Sequence, residues 1–212
     1  MLLAKHQSPS FDEEKRLEAQ GYRLIAGIDE VGRGSLAGPV VAAAAILPNN
    51  VTAPWQDRVR DSKLLSPRTR ELLSTGIHQV AISIGIGIID HEVVDAQGVV
   101  TATRMAMRQA IDRLSPSPDF LLIDFLSLPE VPLPQAGIVN GDGRCFSIAC
   151  ASIIAKVARD GLMTEYDRIY PDYGLARHKG YGTREHLACL SRRGPCQIHR
   201  KSFHPVRGAM KR

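Results

Sequence analysis

The chain has 212 residues, of which 44% are hydrophobic and 23% are charged, and its formal net charge is +5. This composition is too apolar for a disordered protein, and the chain has neither a Gly-X-Y period nor a low-complexity tract. A chain of this length buries enough surface to fold as one domain, with or without a small appendage, and needs no disulfide or metal support.

Local patterns in the first half of the chain predict a short polar helix followed by strands. The helix is predicted over residues 9–20, with Ser10 as N-cap and Glu13 as its capping-box partner. Strands are predicted over residues 22–29, 39–47 and 80–89, and an amphipathic helix over 66–78 begins with the N-cap Ser66 and Pro67.

Patterns in the second half predict helices that alternate with short buried strands. Helices are predicted over residues 99–114, 145–170 and 183–193, and strands over 120–123 and 136–139. This order is typical of an α/β fold with a mixed central sheet flanked by helices. We expect residues 1–20 to form an N-terminal extension, 21–170 the main domain, and 171–212 a small basic helical extension.

The positive charge is concentrated at the carboxyl-terminal end. Residues 177–212 contain ten basic residues and one acidic residue, so this segment carries +9, whereas residues 1–176 carry −4. A basic segment of this kind indicates a polyanionic partner, such as nucleic acid or an acidic membrane surface. A solubilising tail is the alternative, and charge alone does not separate the two.

The cysteines and the N-terminal residues indicate a cytoplasmic protein. Cys145, Cys150, Cys189 and Cys196 lack the two-residue spacing of zinc knuckles and redox motifs, so we expect them to be reduced and structural. Residues 1–20 lack an apolar signal core, and the most apolar run, residues 36–48, is too short and interrupted to span a bilayer. Nothing in the sequence indicates an oligomer, so a monomer is the default expectation.

Acidic residues lie at the ends of three predicted strands, namely Asp29 with Glu30, Asp124, and Asp142. Sites in open α/β sheets form where strands end, and crowded carboxylates repel one another unless a cation lies between them. Mg²⁺ prefers carboxylate oxygens, and two such ions about 3.5–4 Å apart can act on a phosphodiester. An aspartate after a strand is also a common turn residue, and the Asn-Gly-Asp-Gly string around Asp142 is typical of a turn.

A glycine–arginine loop, Gly32-Arg33-Gly34, follows the first acidic pair. Glycines let the backbone approach a ligand closely, and exposed backbone groups in such a loop can bind a phosphate or a sugar hydroxyl. A tight hairpin turn is the alternative. A dinucleotide-binding fingerprint does not fit, because a strand rather than a helix is predicted next.

Taken together, these motifs resemble bacterial type 2 ribonuclease H, the ribonuclease HII family. The resemblance begins with Gly27-Ile28-Asp29-Glu30-Val31-Gly32-Arg33-Gly34. It continues in order through Asp61-Ser62-Lys63, Leu122-Ile123-Asp124, Gly141-Asp142, the segment 151–160 (Ala-Ser-Ile-Ile-Ala-Lys-Val-Ala-Arg-Asp), His178-Lys179-Gly180-Tyr181-Gly182-Thr183, and His199-Arg200-Lys201-Ser202-Phe203-His204-Pro205-Val206. It covers the chain from about residue 22 to residue 206.

The resemblance implies a ribonuclease H-like fold and an endonuclease that acts on RNA joined to DNA. Such an enzyme cuts RNA–DNA hybrids and the 5′ side of single ribonucleotides in duplex DNA, leaving 3′-hydroxyl and 5′-phosphate ends. Asp29, Glu30, Asp124 and Asp142 would hold two Mg²⁺ or Mn²⁺ ions that activate water and stabilise the phosphate. No protein nucleophile is required, and none is indicated by the sequence.

The resemblance also implies substrate-binding residues. The backbone of Gly32, Arg33 and Gly34 would read the ribose 2′-hydroxyl, which distinguishes RNA from DNA. Tyr181 would stack on the deoxyribose of the next nucleotide; without the resemblance, a half-buried tyrosine with a bonded hydroxyl is the simpler interpretation. Lys63, Lys156 and Arg159 would contact phosphates, although a solvated helix face is the alternative for the last two.

Three positions depart from the family pattern, namely Phe125 in place of glycine, Asn140 in place of a common lysine, and Cys150 in place of alanine. They leave every proposed ligand in place and bear on rate and metal preference. Two rival functions stay open. A non-catalytic nucleic-acid-binding module would be expected to lack a carboxylate, and a small-molecule phosphohydrolase would not account for the basic end.

Overall fold

A five-stranded mixed sheet lies at the centre of the computed structural model, which describes residues 8–48 and 50–210. Its order is β3-β2-β1-β4-β5, and the strands are β1 Ile25–Val31, β2 Val40–Ile46, β3 Ser83–Ile89, β4 Phe120–Asp124 and β5 Gln135–Ile138. β2 is antiparallel to β1 and β3, whereas β4 is parallel to β1 and β5. The predicted α/β fold with a mixed sheet is therefore confirmed.

Helices flank the sheet on both faces. Within the described residues they are α1 Asp12–Glu18, α2 Pro67–Val80, α3 His91–Gln97, α4 Val99–Asp112, α5 Phe146–Ile169, α6 Leu175–His178, α7 Arg184–Arg193 and α8 His204–Ala209. The predictions of α2, α4, α5 and α7 are confirmed, and the Ser66 hydroxyl caps α2 by accepting from the Thr69 N–H at 3.2 Å. α3, α6 and α8 were not predicted. None of the helices in this part of the chain is long and apolar enough to cross a membrane.

The predicted start of the first helix is wrong. α1 begins at Asp12, and Phe11 rather than Ser10 occupies the N-cap position, without a side-chain cap. The Phe11 ring stacks on Phe146 with centroids 4.4 Å apart, so packing against α5 sets the start of α1. The Ser10 hydroxyl instead donates to the Asp12 carboxylate at 2.7 Å.

α1 also holds the first turn of α5, through Glu14 rather than Glu13. The Glu14 Oε1 atom accepts hydrogen bonds from the N–H and the hydroxyl of Ser147 at 2.9 and 2.7 Å. These bonds satisfy a backbone donor that the start of a helix leaves unpaired. Burial is the main reason that the pKa of Glu14 is raised.

The sheet separates two apolar cores. Alternate residues of β2 face opposite sides, so Ala42 and Ala44 pack with α4 while Ala43 and Ala45 pack with α5. On the α4 side the helix backbone lies directly against β3. A Cβ atom at Gly87 would lie 1.9 Å from the Ala106 carbonyl oxygen, which explains a glycine inside this strand.

The segment after α5 packs against the residues that follow β1. Ala37 shares an apolar cluster with Met163, Leu175 and Ile198, and the Gly38 N–H donates to the Ile198 carbonyl at 2.9 Å. The carboxyl-terminal helices are thus joined to the main sheet through residues 36–38. The proposed divisions at residues 20 and 170 stay predictions. The four cysteines are free, as expected.

Candidate active site

The sheet topology brings the four predicted acidic residues to one edge. Asp29 and Glu30 lie on β1, and Asp124 ends the neighbouring parallel strand β4, whose Ile123 pairs with Ile28. Asp142 lies in the turn after β5. Because parallel strands end at the same edge of a sheet, the side chains meet there. Asp29 and Asp142 are only 4% and 8% exposed.

The carboxylates raise one another's pKa. Burial, followed by the charges of Glu30 and Asp124, raises the pKa of Asp29 well above its ordinary value. Burial also raises the pKa of Glu30, and outweighs the Arg33 guanidinium, whose Nη1 donates to Glu30 at 3.3 Å. The pKa of Asp124 is raised by burial and by Asp142, although the Gly141 N–H donates to it at 2.7 Å. The charged forms therefore need a cation.

Lys63 is a second cation beside this cluster, in addition to Arg33. Its Nζ atom lies 3.6 Å from Asp142 Oδ2 and 3.9 Å from Asp61 Oδ1, and 76% of the side chain is exposed. Burial lowers the pKa of Lys63, but Asp61, Asp142, Asp29 and Asp124 outweigh it, so the pKa is raised overall. Lys63 and Arg33 together offset only part of the charge of four carboxylates, so the cluster keeps excess negative charge.

The donor set fits a hard divalent cation. All four side chains offer carboxylate oxygens, which Mg²⁺ and Mn²⁺ prefer, and the buried Glu30 Oε2 has no hydrogen-bond partner among the described residues. Within residues 8–48 and 50–210, no three Asp, Glu, His or Cys side chains are already arranged to hold a metal ion.

The glycine–arginine loop lies directly beside the carboxylates. Gly32 has a φ of 93°, and a Cβ atom there would lie 2.2 Å from Arg159 Nε, so only glycine fits. A Cβ atom at Gly34 would meet nothing within 4 Å, so the space around this residue is open. In the described structure, the backbone N–H groups of Arg33 and Gly34 have no protein acceptor.

Tyr181 lies in a segment that is bonded to the chain just after this loop. The Leu36 N–H donates to the Gly180 carbonyl at 2.8 Å, and the Tyr181 ring centroid lies 5.5 Å from Arg159 Cζ. The ring is half-buried, but its hydroxyl has no hydrogen-bond partner in the part of the chain described. The bonded hydroxyl of the simpler interpretation is therefore absent.

Arg159 does not occupy the position that was predicted for it. Its side chain is 0% exposed. It donates to the carbonyls of Pro39, Lys179 and Ala37 and to the Ser35 hydroxyl at 2.8–3.1 Å. The loop after β1 covers this part of α5, so both a direct phosphate contact and a solvated helix face disagree with the structure.

Lys156 lies apart from the acidic cluster. Its Nζ donates to Asp160 Oδ1 at 2.6 Å, and Arg70 contacts the same carboxylate at 3.4 Å. Only 15% of the Lys156 side chain is exposed, so a fully solvated helix face is also wrong here. Lys156 lines a cavity of about 640 Å³ whose lining includes none of the four site carboxylates.

Phe125 and Asn140, two of the departures from the family pattern, share an unusual backbone conformation. Both residues have left-handed conformations, with φ of 59° and 54°. Asparagine tolerates this region, whereas an aromatic residue is strained in it, and Phe125 is 64% exposed beside Asp124. The strained residue is thus the one that stands in place of the family's glycine.

Sequence reasoning missed the role of Arg200. This residue is 0% exposed, donates to the Gly38 carbonyl through Nε and Nη2 at 3.0 and 2.8 Å, and donates to the Arg33 carbonyl through Nη1 at 2.8 Å. The charge pattern predicts only that it contributes to the basic carboxyl-terminal end. The available signal was its place inside a motif of the resemblance.

Comparison with known proteins decides the family. Residues 26–206 match the family model described as Ribonuclease HII. The chain belongs to the ribonuclease HII family. The Ribonuclease HII of Dehalococcoides mccartyi strain BAV1 is 55% identical over 200 residues, which cover 94% of each chain. Family membership identifies the chain as a nuclease, a hydrolase, and implies endoribonuclease activity on RNA–DNA hybrids.

Solved structures confirm the ribonuclease H-like fold of this ribonuclease HII family member. The ribonuclease H2 of Pyrococcus horikoshii OT3 is similar with a TM-score of 0.78 at 21% identity, covering 89% of this chain and 98% of that one. A Bst-RNase HIII in complex with Mn²⁺ is similar with a TM-score of 0.61 at 19% identity, covering 99% of this chain and 72% of that one.

Proposed function

We propose that this chain is a divalent-metal-dependent endoribonuclease that cuts the RNA strand of RNA–DNA hybrids and the 5′ side of single ribonucleotides in duplex DNA. The products would carry 3′-hydroxyl and 5′-phosphate ends, as in the removal of embedded ribonucleotides and RNA primers. The observation that carries the proposal is the partly buried cluster of four carboxylates beside a loop with free N–H groups.

Asp29, Glu30, Asp124 and Asp142 would hold two Mg²⁺ or Mn²⁺ ions. When bound, the ions would supply the positive charge that activates water and stabilises the phosphate and the departing 3′ oxygen. The chain's own contribution is to hold four carboxylates together, although the pKa values of Asp29, Glu30 and Asp124 are raised. A structural relative, Bst-RNase HIII, is itself described in complex with Mn²⁺.

The backbone of residues 32–34 would read the ribose. A 2′-hydroxyl can accept a hydrogen bond from the free N–H of Arg33 or Gly34, and deoxyribose has no such group. Tyr181, with its half-buried ring beside this loop, would stack on the next sugar. Lys63 would contact a phosphate, because its amine is exposed beside the carboxylates.

Exposed cations of the carboxyl-terminal segment would attract the duplex. Arg184, Arg192, Lys201 and Arg207 are exposed and make no ion pair within the described residues. Unpaired surface cations bind phosphates without reading sequence. This arrangement favours a long polyanion over a small phosphorylated substrate.

Cleavage of a defined duplex tests the proposal. The chain is incubated with Mg²⁺ or Mn²⁺ and a DNA duplex that contains one ribonucleotide, beside an all-DNA duplex of the same sequence. We expect one cut 5′ to the ribonucleotide and none in the control. Asp124→Asn should abolish cleavage and leave duplex binding. Cleavage of the all-DNA duplex, or cleavage by Asp124→Asn at the parent rate, would contradict the proposal.

A further inference from the structure

We infer that the buried guanidinium groups of Arg159 and Arg200 are positioning residues for ribose recognition, acting through the backbone of residues 33–39. The inference rests on the proposed function, in which the Arg33 and Gly34 N–H groups read the 2′-hydroxyl. It adds two residues that would never touch the substrate and yet would determine how strongly the loop distinguishes RNA from DNA.

Arg200 fixes the orientation of the peptide group between Arg33 and Gly34. Its Nη1 donates to the Arg33 carbonyl at 2.8 Å from the protein interior. The C=O and N–H of a trans peptide point in opposite directions. The Gly34 N–H is therefore directed away from Arg200, and it has no acceptor among the described residues.

Arg159 joins the same loop to the segment that carries Tyr181. Its guanidinium donates to Ser35 and Ala37 on one side and to the Lys179 carbonyl on the other. Gly32 packs on this guanidinium so closely that no side chain fits between them. One buried group thus sets the spacing between the proposed 2′-hydroxyl contact and the proposed stacking ring.

The free-energy cost of burying Arg159 and Arg200 favours a role for them beyond packing. Neither arginine forms an ion pair with an Asp or Glu of the described residues, and both are 0% exposed. Burial, followed by the charge of Arg159, lowers the pKa of Arg200 to about 9. Two buried like charges are costly, and backbone carbonyls with one hydroxyl, that of Ser35, offset the cost only in a fixed geometry. A loop that recognises the ribose 2′-hydroxyl needs such a fixed geometry.

The readout is the preference for a duplex with one ribonucleotide over an all-DNA duplex. A general loss of stability does not produce a change in this preference. In an Asp124→Asn background, which should bind without cutting, Kd is measured for a duplex with one ribonucleotide and for the all-DNA duplex of the same sequence. For Arg200→Lys and Arg159→Lys we expect the ratio of the two Kd values to fall about tenfold, the worth of one good hydrogen bond. The Kd for all-DNA should stay within about twofold, because the exposed cations are unchanged.

Arg70→Lys is the matched control. Arg70 is also a buried arginine, only 8% exposed, and donates to two backbone carbonyls, those of Ser62 and Leu65, without touching residues 32–39. It should lose comparable stability in thermal unfolding and keep the parent's preference for the ribonucleotide. Ser35→Ala is a gentler second variant, since it removes one of the Arg159 contacts and should reduce the preference about threefold.

The outcomes separate the inference from the proposed function. Preference retained in both arginine variants and in Ser35→Ala would overturn the inference. Preference lost equally in Arg70→Lys would also overturn it, because loss of stability would then be the cause. A parent protein that binds both duplexes equally would overturn ribose reading by the loop itself, and the inference with it.

Discussion

His186 and His199 are joined by a hydrogen bond of 3.0 Å between their Nε2 atoms. The His186 Nδ1 atom contacts the Tyr181 carbonyl at 2.9 Å, and since a carbonyl can only accept, this nitrogen donates. Nε2 of His186 then accepts from His199, whose Nδ1 accepts from the Cys196 N–H at 3.0 Å. Burial lowers the pKa of both histidines, so both rings are neutral at neutral pH, and the chain of bonds ends on the residue proposed to sense the sugar.

Acid should weaken this chain of hydrogen bonds. Burial lowers the pKa of His199 from 6.5 to about 4, so between these values the unfolded state binds the proton and the folded state does not. The contribution of His199 to the free energy of unfolding is fully present above about pH 6.5. It falls by about 3 kcal/mol as pH falls toward 4. Urea unfolding of the parent and of His199→Gln measures this, and the difference between them should shrink on acidification. A difference that is constant with pH would contradict it.

Asp29→Asn should stabilise the metal-free protein while abolishing cleavage. Because the pKa of Asp29 is raised in the folded state, its ionised form destabilises the fold, and metal-free stability falls as pH rises through that pKa. Removing the charge should raise the free energy of unfolding and the Tm of the metal-free protein at neutral pH. Excess Mg²⁺ should raise the Tm of the parent more than that of the variant. Asp112→Asn, on the exposed end of α4, is the control and should change neither property.

Tyr181→Ala should reduce cleavage of single embedded ribonucleotides more than cleavage of long hybrids. Stacking on the sugar after the ribonucleotide contributes only where RNA changes to DNA. Loss of one stacked ring should therefore lower cleavage of single embedded ribonucleotides about tenfold. Tyr181→Phe should retain activity within about twofold, because stacking needs the ring and the hydroxyl has no partner within the described structure. Steady-state rates on both substrates provide the comparison. Equal losses on both would argue against junction sensing.

Phe125→Gly should be more stable than Phe125→Ala by about 1 kcal/mol. The left-handed backbone at this position strains any residue with a Cβ atom, and glycine relieves the strain. Asn140→Gly, with Asn140→Ala as its matched partner, should gain less stability over the parent than Phe125→Gly does. Asparagine already tolerates this conformation. Thermal unfolding of the four variants measures the differences. Equal stabilities of Phe125→Gly and Phe125→Ala would show that Phe125 is not strained.

The parts of the molecule predicted correctly are those encoded locally. An apolar run that ends in Asp124 predicts both a buried strand and an acidic residue at its edge, and Ser66-Pro67 predicts the start of α2. The helix α3 was missed because it has only seven residues and is separated from α4 by Gly98, whose φ is 83°. A segment this short lacks a clear apolar period.

The errors concern residues whose surroundings come from distant parts of the chain. The apolar pattern of α5 does not show that its Arg159 end lies beneath residues 35–39, which are more than a hundred positions earlier in the sequence. The same holds for Arg200, whose acceptors are at residues 33 and 38. A charged residue is ordinarily expected at the surface, and only the folded chain shows which carbonyls replace its water.

The contacts of Arg200 also impose an order on the maturation of the enzyme. A chain synthesised only as far as residue 170 already contains the four carboxylates, the glycine–arginine loop and Arg159. The proposed stacking ring and the second guanidinium come from the last forty or so residues. Synthesis proceeds from the N-terminus, so the acidic edge can form before the ribose-reading loop is held in place. Under the proposed function, the carboxylates that would hold the metal ions are therefore synthesised before the residues that would position the ribose-reading loop and stack on the next sugar.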